Sequence, residues 1–246
     1  MKEQKLDKMQ LVEMATDPAQ YDRPDLNWNM EGGMESPIRQ FFWKKIMQHC
    51  PEWEGRRVLD IGAGTGWAVE AARREGAVMS VGLEPSTRNL KLARQSFPGI
   101  KMLQGTLEDY GTMQKYDRIL SIMSLPHIRN LKLAFQKIRH LLAEPAGDFV
   151  AIVPNYDYYR QRRHDYEVQL EDLNSLEFVT KIKRNFGILT DLVRKEIAYV
   201  MAADETGLNL EAAEPMYPSE KLISEIPKYG NLPNQAITNF FRFKVP

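Results

Sequence analysis

The sequence predicts an α/β fold: a doubly wound, mostly parallel sheet of seven strands with helices on both faces, closed by a C-terminal antiparallel pair. Three observations carry that expectation. Short apolar runs alternate with helical-period stripes through the middle of the chain, a glycine-rich turn joins the first such run to the stripe after it, and two alternating segments stand near the C-terminus.

The N-terminal MKEQKLDKMQLVEM is charged and helical in pattern, with no continuous apolar core. Ser36-Pro37 reads as an N-cap followed by proline at the first helical position, and Ile38, Phe41, Phe42 and Ile46 recur on one face until Pro51. Arg57 to Ile61 is a short apolar strand; a glycine turn and a helix carrying Trp67, Ala68, Ala71 and Ala72 follow, ending at Gly76. Val78 to Leu83 is the second strand, and a helix from about Ser86 carries Leu90, Ala93 and Phe97 as far as Pro98-Gly99. Ile100 to Gln104 and Asp117 to Ile122 read as strands three and four. Leu131, Ala134, Phe135, Ile138, Leu141 and Leu142 mark an amphipathic helix before the fifth strand, Asp148 to Pro154. Five βα units imply a parallel sheet covered on both faces.

Beyond Pro154 the rhythm changes. Asn155 to Gly187 is long, rich in tyrosine and charge and weakly periodic, and is read as an insertion. Leu189, Leu192, Val193, Ile197 and Val200 then form a helical stripe ending near Gly207, and Leu208 to Ala212 and Ile237 to Val245 alternate as the last two strands.

Composition removes several classes of function. Lys plus Arg equals Asp plus Glu at 33 each, so no global field draws the chain to nucleic acid or an anionic membrane. Cys50 is the only cysteine, which excludes an intramolecular disulfide framework and any multi-thiolate metal site and suits a reducing, cytoplasmic setting. No stretch approaches the roughly 18 apolar residues of a membrane span.

The strongest chemical signal is VLDIGAGTGW, Val58 to Trp67, between a strand and a helix. Gly62, Gly64 and Gly66 let the backbone turn sharply and let a ligand lie against Ala63 and its neighbours. A dinucleotide fingerprint would need its third glycine where Trp67 stands. Asp60 would also repel a diphosphate, yet suits an ammonium and a sulfonium. S-adenosylmethionine carries both.

These residues resemble the class I S-adenosylmethionine-dependent methyltransferases, and among them the type 11, or ubiquinone-biosynthesis-like, group, with its Rossmann-like fold. The resemblance is close from Ser36 to Asn155. It extends to VGLEPS, where Glu84 stands at the place of the family's ribose-binding acid with Pro85 and Ser86 beside the adenine. In YDRILSIMSLPHI, Ser121 falls where backbone meets the methionyl part of the cofactor. In QGTLEDY, Thr106 replaces the usual aspartate, leaving the Leu107 amide, Glu108 or Asp109 to reach the adenine.

The resemblance implies one domain over 1–246: an N-terminal helical segment (1–50), a cofactor-binding core (51–154), a lid-like insertion (155–187) and a C-terminal helix with the last two strands (188–246). The implied reaction is in-line methyl transfer to a small-molecule acceptor at oxygen, carbon or nitrogen, without metal, with Tyr156, Tyr158 and Tyr159 of the lid capping the pocket. His127, in the loop after the fourth strand, is the candidate to take a proton from the acceptor. Trp28 is weighed as a residue that closes over the cofactor and assigned to packing. Two alternatives stand beside this reading. An RNA methyltransferase would use Arg160, Arg162 and Arg163, and a non-catalytic binding subunit would have no acceptor pocket.

Overall fold

The computed structural model of the chain describes residues 6–26, 33–161, 167–184, 187–231 and 234–246. Trp28, Arg162 and Arg163 lie outside the described residues.

A capping box starts α1 (Lys8–Ala15): the Asp7 carboxylate accepts the Gln10 amide, and the Gln10 side chain accepts the Asp7 amide. A 3-10 turn at Gln20–Asp22 leads on towards α2 (Pro37–His49). The alternation follows as β1 (Arg57–Ile61), α3 (Trp67–Arg74), β2 (Met79–Glu84), α4 (Thr87–Ser96), β3 (Lys101–Gln104), β4 (Arg118–Ile122), α5 (Leu131–Leu141) and β5 (Asp148–Pro154). Gly76 ends α3 with a Schellman pair, its amide bonding to Arg73 and the Ala77 amide to Ala72. Next come α6 (Tyr156–Gln161), β6 (Glu167–Asp172), β7 (Glu177–Arg184), β8 (Gly187–Arg194), α7 (Glu196–Asp204), β9 (Asn209–Met216), α8 (Glu220–Glu225) and β10 (Thr238–Lys244).

Seven strands form one sheet in the order β3-β2-β1-β4-β5-β10-β9. The first five are parallel, and β10 runs antiparallel to both its neighbours. The expected doubly wound, seven-stranded fold is therefore present. Strand order reverses between β1 and β4, which opens a crevice beyond their carboxyl ends.

Side chains of the strands alternate between two apolar layers, as a period of two requires. Leu59, Ile61, Ile119, Phe149, Phe241 and Phe243 pack with α5 and α7; Val58, Leu120, Val150, Ile152 and Phe240 pack with α2 and α3.

Three expectations are corrected. No helix joins β3 to β4, because residues 105–117 carry no apolar stripe that could cover the sheet. The stripe at Leu189, Leu192 and Val193 belongs to β8, and only Glu196–Asp204 is helical; β8 is buried on both faces, so its apolar residues do not alternate. Finally, the insertion is not a loose lid. It is a three-stranded antiparallel sheet, β6-β7-β8, that continues past Gly187 to Arg194. Tyr158 and Tyr159 pack with Phe178, Ile182 and Val193 on one of its faces, while Leu11, Val12 and Ala15 of α1 pack on Val179 and Leu192 on the other.

Candidate functional site

A cavity of about 650 Å³ opens at the carboxyl ends of β1, β2 and β4. Gly62, Ala63, Gly64, Glu84, Pro85, Thr106, Leu107 and His127 are on its wall; Asp60, Gly66, Ser86 and Ser121 stand behind it. None of Tyr156, Tyr158 and Tyr159 lines it, which corrects the expectation that the insertion caps the pocket. The wall on that side is Thr16, Asp17, Pro18, Gln20 and Tyr21, a strap between α1 and α2.

The three loop glycines have positive φ, 67°, 54° and 77°, but different surroundings. A Cβ on Gly62 would lie 2.4 Å from the Ser124 Cβ, and one on Gly66 would lie 2.3 Å from Ile100 Cδ1. Only Gly64 faces open space. At positions 62 and 66 glycine is therefore required by internal packing as well as by positive φ, and Gly62 also lines the cavity.

Asp60 ends up 3% exposed beneath this loop, and its Oδ1 has no hydrogen-bond partner. Burial, and then the nearby Glu84 charge, push its carboxyl well above the usual range. The Glu84 carboxylate accepts the Gly64 amide at 2.7 Å through Oε2, and the Ser86 amide at 3.0 Å and the Asn89 side-chain amide at 3.3 Å through Oε1. Burial raises its pKa against those three bonds, and Asp22 adds to the rise. Two buried acids side by side oppose folding as pH rises through their raised pKa values. A cationic ligand offsets that cost.

Thr106 donates to Asp109 Oδ2 at 2.8 Å, and the Asp109 amide donates back to Thr106 Oγ1 at 3.2 Å. Glu108 and Asp109 also face the cavity. Ser121, fully buried, donates to Ser124 Oγ at 2.5 Å, since the Ser124 proton is given to the Ile61 carbonyl at 2.6 Å. Met123, between them, takes a left-handed φ of 62° and lines the cavity.

Two features were not read from the sequence. Arg39 of α2 is 8% exposed on the cavity wall, donating to the Gly33 carbonyl at 2.6 Å and to Thr65 Oγ1 at 3.1 Å; desolvation lowers its pKa to about 10. The available signal was a charge one turn before Phe42 on the buried stripe. The second feature is Asp22. Its carboxylate accepts from Ser86 Oγ, the Thr87 amide and the Arg88 amide at 2.7, 3.1 and 2.9 Å, fixing the strap to the start of α4. Replacing Asp22 by alanine is expected to cost about 1 to 2 kcal/mol, as loss of a helix cap does, and to speed hydrogen exchange across residues 16–26. Unchanged exchange there would leave the strap held by other contacts.

The fold brings the glycine loop, Asp60 and Glu84 together at one mouth of the sheet. A family profile described as a methyltransferase domain matches residues 34–184, and the chain belongs to that family. Its fold is that of the class I S-adenosylmethionine-dependent methyltransferases, and the profile does not distinguish the type 11 subgroup. Among relatives, a tRNA U34 carboxymethyltransferase of Photobacterium profundum is 28% identical over 144 residues, 50% of this chain and 43% of that protein. The chain therefore spans less than half the length of that relative. An S-adenosylmethionine-dependent methyltransferase of Mesorhizobium loti has the same fold at 20% identity and a TM-score of 0.68, covering 85% of this chain and all of that one. The PH0226 protein of Pyrococcus horikoshii, 15% identical, covers 98% of this chain and 100% of its own with a TM-score of 0.67. No helix among the described residues is long and apolar enough to cross a membrane.

Proposed function

We propose that the chain transfers a methyl group from S-adenosylmethionine to a small molecule at oxygen, nitrogen or carbon by in-line displacement. The observation that carries this is the cavity itself: about 650 Å³, roofed by the strap and continuous from Glu84 and the glycine loop to Ile38, Phe42, Met123 and Ile128. That volume lies within the roughly 300–1,000 Å³ of small-molecule sites. The residues fit the cofactor. Glu84 retains acceptor capacity for the ribose, Asp60 behind the glycine loop keeps an unpartnered buried oxygen suited to a cationic ligand, and Arg39 supplies a cation for the methionyl carboxylate. The Leu107 amide with Glu108 or Asp109 serves the adenine. The cofactor supplies an electrophilic methyl group, and the protein aligns the acceptor and excludes water.

A second reading is methyl transfer to tRNA, the relatives that match half of this chain being named tRNA U34 carboxymethyltransferases, so that they point to tRNA as a substrate class. The equal numbers of acidic and basic residues give it no electrostatic support, and Arg160 is ion-paired to Asp172. Incubation with isotopically labelled methyl donor separates the two: label is expected in a metabolite extract, and label in total tRNA alone would replace the first reading by the second. Calorimetry is expected to show micromolar-range binding of S-adenosylmethionine and S-adenosylhomocysteine, on the order of 7 to 9 kcal/mol, and none of NADH. NADH binding in their place would remove the cofactor assignment.

A further inference from the structure

His127 lines the cavity with both ring nitrogens engaged. Its Nδ1 lies 3.0 Å from the Ala15 carbonyl, and its Nε2 lies 3.0 Å from the Tyr21 hydroxyl, whose ring meets the imidazole edge-on at 5.5 Å. Nδ1 lies 3.0 Å from the Gln20 Nε2 as well, and that Nε2 donates to the same Ala15 carbonyl at 2.9 Å. One neutral tautomer has Nδ1 accepting from Gln20 with the proton on Nε2; a relay through Tyr21 takes the other, in which Nδ1–H and Gln20 both donate to Ala15. Nε2 is then the lone pair that accepts the Tyr21 proton. Tyr21 faces the cavity, and the neighbouring Asp22 ties the same turn to Ser86, Thr87 and Arg88.

From this geometry we infer that Tyr21 is the catalytic residue that takes the acceptor's proton, with His127 as the positioning residue that holds it, so the acceptor is a protic one, a hydroxyl or an amine. The inference rests on the small-molecule methyl-transfer reading and narrows it. As the acceptor's heteroatom bonds to the methyl carbon and the carbon–sulfur bond breaks, its proton passes to the Tyr21 oxygen and the tyrosine's own proton to His127 Nε2. The sulfonium charge is lost as the imidazolium charge appears, and the extra proton leaves to water when the strap opens. Nδ1–H stays on Ala15 throughout, so the ring keeps its orientation. Because Tyr21 and Ala15 both belong to the N-terminal segment, the relay is assembled only when the strap is seated, which also keeps water from the reacting atoms. The charged groups around the ring are Asp191 of β8, 3.9 Å from Nε2, and Arg194, bound to the carbonyls of Leu125, Ile128 and Arg129. Arg129 and Asp17 stand on the adjoining wall.

The test compares wild type, Tyr21→Phe, His127→Gln and the double variant, with S-adenosylhomocysteine as binding probe and labelled methyl donor with metabolite extract as activity probe. Nitrogen NMR of the labelled imidazole is expected to show the Nδ1–H tautomer, with the Nε2 resonance moving in Tyr21→Phe. Label incorporation is expected to fall at least about 100-fold in either single variant and little further in the double. The wild-type rate should climb with pH as His127 loses its proton, and His127→Gln should flatten that climb. Affinity for S-adenosylhomocysteine should stay within roughly threefold of wild type. An Nε2–H tautomer, or full incorporation by Tyr21→Phe, overturns the relay. So does a loss of affinity as large as the loss of label, which would make both residues anchors of the strap. Wild type that binds S-adenosylhomocysteine but labels nothing in the extract is a failure of the small-molecule reading, and the relay falls with it.

Discussion

Replacing Glu84 by alanine is expected to weaken S-adenosylhomocysteine binding by roughly 2 to 4 kcal/mol, as its charge-assisted hydrogen bonding to the ribose is lost. The carboxylate has a second duty. It is the acceptor for the Gly64 amide, the Ser86 amide and the Asn89 side chain, so alanine also leaves three donors at the cavity wall to find water. Glutamine keeps one acceptor oxygen but turns an NH2 toward a backbone donor, so Glu84→Gln should fall between alanine and wild type in affinity. A pH series adds a signature. The ligand's hydroxyls donate to the ionised carboxylate, whose pKa is raised by burial, so affinity should fall as pH drops through that raised value. Calorimetry on both variants, with urea unfolding as control, decides the matter. Wild-type affinity in Glu84→Ala would show that the carboxylate only braces the loop.

The parts of this site that were legible in the sequence are those fixed by strand and turn. Asp60 is read because it stands two residues before the first loop glycine and Glu84 because it ends a short apolar strand, and a parallel sheet brings both to one edge. The glycines are read because positive φ narrows the choice of residue, although the sequence could not say whether a ligand or Ser124 and Ile100 fill the space beside them. Residues 167–194 were misread for a physical reason. A strand buried on both faces carries no alternation, and an antiparallel sheet whose faces are covered by α1 and by Tyr158 and Tyr159 depends on contacts far apart in the chain. The same holds for the strap. Nothing in the local pattern of Gln20, Tyr21 and Asp22 announces partners at His127 and Ser86, about a hundred and about sixty residues away. The expectation that the pocket is closed from beyond Pro154 therefore gave way to closure from the N-terminal side, with the inserted sheet acting as the bed on which α1 rests.

The opposite edge of the main sheet should show the largest loss of stability. Asp148, 2% exposed at the start of β5, accepts from Arg118 Nε at 2.7 Å and Nη2 at 3.0 Å, and from Arg242 Nη2 at 2.8 Å. Arg118 starts β4 and is 1% exposed; its guanidinium also donates to the Cys50 carbonyl at 3.3 Å and the Glu52 carbonyl at 3.1 Å and lies 4.5 Å from the centre of the Trp53 ring. One carboxylate thus offsets two guanidinium groups, one of them without access to solvent, while joining β4 and β5 to β10 at their ends. Asp148→Ala removes that offset and leaves the Arg118 charge buried against an aromatic ring and two carbonyl groups. The expected cost is about 3 to 5 kcal/mol, the range for breaking a buried pair from one side. Such a loss is a large part of the roughly 5 to 15 kcal/mol that holds a domain of this kind together. Asp148→Asn should cost less, because it still accepts one bond and keeps the packing. Since the cluster lies at the amino ends of β4 and β5, away from the glycine loop, cofactor affinity of the folded fraction should be unchanged, and added salt should do little for so dry a pair. Urea unfolding measures the stability and calorimetry the affinity. A loss below about 1 kcal/mol would mean that water reaches Arg118 once the carboxylate is gone, placing the cluster among ordinary surface pairs.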